Sequence, residues 1–165
     1  MKRTLLIALL FVAACGDDDK SNEVVVETPE AEACEHLAEG PFQAITAAAA
    51  ATDVLENSAV KHTSVNVSLT DYEGARGGFV EFQAEAAGDF LLFLSADVPL
   101  EVFDSAGNQV PIESTTIGSD LCTEIATTHT VEFSVGTYVL AFGPTSETAV
   151  GLVHELSDHA HDQVQ

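Results

Sequence analysis

Imidazole is the side chain in this sequence with the most chemistry on offer. Six histidines stand among only five lysines and arginines. The neutral ring is a common transition-metal ligand, and carboxylates can complete such a site. The densest grouping is Asp158-His159-Ala160-His161-Asp162, two imidazoles and two carboxylates within five residues. In extended chain His159 and His161 point the same way, so they can share one ion. His154, His129 and His36 are the further candidates, and the ion would be Zn²⁺, Cu²⁺ or Ni²⁺. Two plainer readings compete with this one. The tail can be a polar terminus that happens to carry histidine, and His129 and His154 can be hydrogen-bonded core residues. His62, at an outward parity, reads as simply exposed.

Catalytic patterns fare worse. Ser58-Ala59-Val60-Lys61 matches S-x-x-K, but the S-D-N and K-T-G elements that accompany it in penicillin-recognising enzymes are missing. The sequence contains no G-x-S-x-G elbow, no P-loop and no H-E-x-x-H. The aspartate run Asp17-Asp18-Asp19 lacks the glycine and terminal glutamate of a calcium loop. The chain therefore reads as non-catalytic.

The start of the chain bears on location. Lys2 and Arg3 precede an apolar run over 5–14 that ends at Cys15. About ten residues cannot cross a bilayer, which needs roughly twenty, but they match a signal-peptide core. Val12-Ala13-Ala14-Cys15 resembles the bacterial lipobox, which implies cleavage before Cys15 and lipidation of that residue. The competing reading is an ordinary secretory signal with an accidental cysteine. By analogy with enterobacterial sorting, Gly16 after the cysteine implies the outer membrane. The anchor would make the membrane a partner in the bacterial cell envelope.

Removal of 1–14 would leave 27 acids against three bases, a net charge of 3 − 27 = −24. Such a surface repels phosphate backbones and excludes nucleic acid as a partner, while it attracts cations without choosing among them. In an oxidising compartment Cys34 and Cys122 are expected to form a disulfide. His36, two residues beyond Cys34, would then lie near the Cys122 segment.

These side chains must be held by something, and the periodicity says what. Residues 15–33, rich in acids, Ser, Asn and Pro, read as an acidic flexible tether. The alanine-rich 44–52 reads as a short helix or irregular segment. From His62 onward the period is two: Val65, Val67, Leu69; Val80, Phe82, Ala84; Val131, Phe133; Tyr138, Leu140, Phe142; Val150, Leu152, His154, Leu156. The stretch 90–94 is apolar on both faces and predicts a central, covered strand. Short strands with turn signals between them predict an all-β fold, an antiparallel β-sandwich of jelly-roll or immunoglobulin-like size over 34–157. The segment 158–165 is left as a tail.

A two-residue turn at Val135-Gly136 would set His129 opposite Phe142. The loop over 143–147 would then bring His154 level with Gly136. That is six residues of strand, or ~20 Å, too far for one shared ion. His154 would group with His159 and His161 instead.

The segment GDFLLFLSADVPLEVFDSAGN, followed by VGTYVLAFGP, resembles the bacterial pre-peptidase C-terminal domain, a small β-sandwich. The shared elements are Gly88-Asp89-Phe90, the hairpin Phe103-Asp104-Ser105-Ala106-Gly107-Asn108, and Gly136-Thr137-Tyr138. Val98-Pro99 stands where that family usually has an acid. The resemblance implies the fold and carries no activity. The sequence thus points to a membrane-anchored envelope lipoprotein that binds or buffers a transition metal through histidine. The alternative is an adhesion or protein-interaction sandwich with incidental histidines.

Overall fold

The computed structural model describes residues 27–157. Cys15, the leader, most of the tether and the histidines of the tail, His159 and His161, lie outside the described residues. One helix and eleven strands follow in order: α1 (Pro29–Glu39), β1 (Phe42–Thr46), β2 (Ser64–Ser68), β3 (Thr70–Tyr72), β4 (Ala75–Ala84), β5 (Gly88–Leu94), β6 (Leu100–Asp104), β7 (Gln109–Val110), β8 (Ser114–Ile117), β9 (Thr127–Phe133), β10 (Gly136–Thr145) and β11 (Ala149–Leu156).

The strands form two sheets, of order β1-β2-β11-β5-β9-β8 and β3-β4-β10-β6-β7. All pairings are antiparallel except β1 with β2. The predicted sandwich is therefore the fold. Alternation places Val65, Val67, Val80, Phe82, Phe90, Leu92, Leu94, Val131, Phe133, Leu140, Val150 and Leu152 in one buried core. Strand β5 is covered on both sides, as its doubly apolar sequence requires: Phe90, Leu92 and Leu94 enter the sandwich, and Phe93 enters a second small core with Ala33, Ile125 and Val153.

That second core lies beneath α1, which packs on the outer side of the six-stranded sheet against β11, β2 and β5. Thr28 caps the helix, accepting from Ala31 N at 3.2 Å, and Pro29 opens the first turn beside Glu30 and Glu32. Gly40 ends it with φ +82°, a conformation that favours glycine; a Cβ there would lie 2.8 Å from the Phe42 ring. Gly151 lets the helix come close, since a Cβ there would meet Leu37 at 3.1 Å.

Several expectations are corrected. The helix begins at Pro29, inside the stretch assigned to the tether, and Glu32 and Ala33 are buried. Residues 42–46 form strand β1, and Ala48 bridges to Phe79, where a helix or irregular segment was expected. Strand β10 continues through Thr145, with a register break after Phe142. Strands β9 and β10 do not pair. The chain crosses between sheets at 134–135, so His129 faces Leu92 on one side and Thr115 on the other, not Phe142.

His154 also faces Leu92, from β11. Both histidines therefore occupy one row, two strands apart, or about 9.6 Å at ~4.8 Å per strand. The expected end-to-end separation of ~20 Å is wrong. The reason is that β9 and β11 each take their register from β5. A crossing between sheets has no hydrogen bonds to carry a residue count. Leu92 stands between the two rings, and that is what keeps them from sharing an ion.

Candidate metal centre

Four side chains converge where α1 meets the end of β11. Glu32, His36, His62 and Glu155 each offer one ligand atom, and these atoms all lie within 4.8 Å of one another. Glu32 and His36 are four residues apart on α1 and so project from one face. His62 comes from the turn before β2, where its backbone takes φ 51°. Glu155 comes from β11. It shares the outward face with Val153, and the helix roofs it over, leaving it 6% exposed.

The geometry around His36 is specific. Its Nδ1 lies 3.0 Å from the carbonyl of Gly40. A carbonyl only accepts, so Nδ1 carries the proton and the neutral ring presents a lone pair at Nε2. That Nε2 is buried, makes no hydrogen bond, and stands 3.5 Å from Glu32 Oε1. Such a backbone-oriented imidazole is the usual arrangement of a metal-ligating histidine. The same carboxylate oxygen is 2.5 Å from His62 Nδ1. The two imidazole rings meet edge-on, 6.0 Å apart.

Two carboxylates taken out of water this close together need positive charge beside them. Protons on the two imidazoles or a bound cation would supply it. Ligand atoms 2.0–2.1 Å from a tetrahedral ion are separated by about 3.4 Å, close to the 3.5 Å between His36 Nε2 and Glu32 Oε1; the 2.5 Å between Glu32 Oε1 and His62 Nδ1 is a hydrogen-bond distance that an ion would have to open. The donor set, two imidazoles and two carboxylates, suits Zn²⁺ among the borderline divalent ions. His62 is half exposed, which leaves one side open for an ion to enter. No family model matches the chain, and no curated protein matches it. The chemistry of the site therefore carries the functional reading.

Of the histidines singled out from sequence that lie among the described residues, His36 alone enters this cluster. His36 lies two residues beyond Cys34, which is bonded to Cys122 as expected, and its ring leaves α1 about 160° around from Cys34. His62 is exposed as expected but is a member of the cluster. Glu32 had been assigned to the tether, and Glu155 had no signal at all. The signal available for Glu32 was the Thr28-Pro29 start and Gly40 stop, which would have put Glu32 and His36 on one helical face.

His129 and His154 are buried, as their parity predicts. His129 Nδ1 is 2.9 Å from Thr115 Oγ1, and burial holds the ring below its ordinary pKa. His154 packs against Phe82 and Phe90 at ring distances of 5.1 and 6.1 Å. Burial, reinforced by the nearby Lys61 and His62, lowers its pKa to about 4.

An acid sensitivity follows from that value. The unfolded chain binds a proton at His154 near pH 6.5, whereas the folded chain resists it down to about 4. Folding stability from this residue is whole above pH 6.5 and is lost as pH falls toward 4, by about 3 kcal/mol. With chelator present throughout, His154→Leu should lose about that much less than wild type between pH 7 and pH 4 in urea unfolding. Parallel pH profiles for the two proteins would refute the assignment.

Proposed function

We propose that the protein is a non-catalytic, lipid-anchored module of the bacterial cell envelope that binds a transition metal, Zn²⁺ foremost, through Glu32, His36, His62 and Glu155. The observation that carries the reading is His36. Its proton is committed to the Gly40 carbonyl while its buried Nε2 faces the Glu32 carboxylate without a hydrogen bond. A divalent cation satisfies that lone pair and both carboxylates at once. The strongly acidic composition raises the local concentration of cations around the site. The anchor rests on the lipobox resemblance at Cys15. Among the described residues no helix is long and apolar enough to cross a membrane.

The test is metal uptake by the tagless full chain, measured by calorimetry with Zn²⁺, Cu²⁺ and Ni²⁺. One ion per chain is expected at this site. His36→Ala and Glu155→Gln should each weaken it by at least the ~10–100-fold that follows loss of an outer-shell partner. His159→Ala with His161→Ala should leave it intact. If uptake vanishes only with the tail histidines, the ligands are misassigned. If no ion binds stoichiometrically, the adhesion alternative gains.

A further inference from the structure

Helix α1 is pinned along two flanks. At about 100° per residue, Glu32 and His36 lie on one side of the buried face, Ala33 and Leu37 in its middle, and Cys34 about 160° from His36 on the other side. Cys34 is bonded to Cys122 with Cα atoms 6.0 Å apart. The middle of the face is thin, because besides the bonded Cys34 only Ala33 and Leu37 of the helix join the small apolar cluster with Phe93, Ile125 and Val153. An eleven-residue helix has little stability of its own. With Cys34 released, such a helix can roll about its narrow apolar strip, which carries Glu32 and His36 away from His62 and Glu155.

We infer that the Cys34–Cys122 disulfide sets the affinity of the metal site, so that its reduction releases the ion; this rests on the metal-binding reading above. The reductant is a dithiol. One of its sulfurs attacks the disulfide and the bond between Cys34 and Cys122 breaks. The second sulfur then closes the donor's own disulfide. Two electrons and two protons pass to the cysteines, which leave as thiols, and the metal keeps its oxidation state. The coupling is reciprocal: metal held at the site stabilises the oxidised form. Ligands assembled in a tenth of the molecules give a tenth of the affinity. A tenfold change corresponds to about 30 mV in the potential of the pair.

The experiment compares Zn²⁺ affinity of the tagless full chain, oxidised, with that of the Cys34→Ser/Cys122→Ser chain, using a chromophoric chelator as competitor. The serine variant avoids new thiolate ligands. At least ~10-fold weaker binding is expected. As a second measurement, Zn²⁺-loaded wild type is reduced with a phosphine and both thiols are alkylated, and the freed ion is read by the same chelator. This arm stands even if the serine variant does not fold. Equal affinity and no release would overturn the coupling while leaving the site in place. Failure of the oxidised chain to bind Zn²⁺ would overturn the site itself, and the coupling with it.

Discussion

Phe82→Ala should lower the unfolding free energy by about 4 kcal/mol, within the ~3–5 kcal/mol range for emptying a buried phenylalanine site. Phe82 is fully buried and joins the two sheets. Its ring stacks on Phe133 at 5.0 Å and meets Phe90 and His154 edge-on at 5.8 and 5.1 Å. Those three partners belong to β5, β9 and β11 of the opposite sheet, so no single side-chain movement can refill the space. Val135, 66% exposed in the turn between β9 and β10, provides the control. Val135→Ala should change stability by less than ~0.5 kcal/mol. Denaturant unfolding at pH 7 measures both, and a Phe82→Ala loss below ~1.5 kcal/mol would mean the two sheets are held together elsewhere.

Removing the Cys34–Cys122 bond should cost roughly 2–4.5 kcal/mol. The bond closes 88 residues of chain, and the chain-entropy model puts the upper end at about 4.5 kcal/mol. Both cysteines also pack against the cluster of Ala33, Phe93, Ile125 and Val153. Comparing the Cys34→Ser/Cys122→Ser chain with the oxidised wild type, both in chelator, isolates this effect from metal binding. An unchanged midpoint would show that the unfolded chain is already constrained. The expected order is Phe82→Ala and disulfide loss well above any exposed substitution.

What could be read from the sequence follows from which residues bury a face. Val65, Val67, Phe82 and Val131 alternate with polar neighbours, and all four are buried. Strand β8, with the sequence Ser-Thr-Thr-Ile and all four residues exposed, buries nothing and has no pattern to find. The turn at Val135-Gly136 is locally the same whether the chain stays in one sheet or crosses to the other. The partner of His129 was therefore out of reach. In the candidate site, His36 was legible as an imidazole, but Glu32 was hidden by the acidic composition of its segment. Glu155 alternates with His154 and looks solvent-facing. Nothing within 149–156 indicates that a helix from residues 29–39 covers that side.

Strand β11 lies between β2 and β5, and this placement constrains the order of assembly. Strands β2 and β5 are not partners of each other; each pairs with residues 149–156. A chain that leaves a ribosome or a membrane pore N-terminus first must present Val65, Val67, Leu92 and Leu94 with one ladder unfilled until residue 156 has cleared the exit. The inner strands of the sheet are thus edges for nearly the whole of synthesis, and exposed edges invite pairing with other chains. This topology disfavours stepwise folding during emergence. Glu155 arrives on that same late strand, so the proposed metal site can be completed only after the chain is clear of the exit and the sheet has closed.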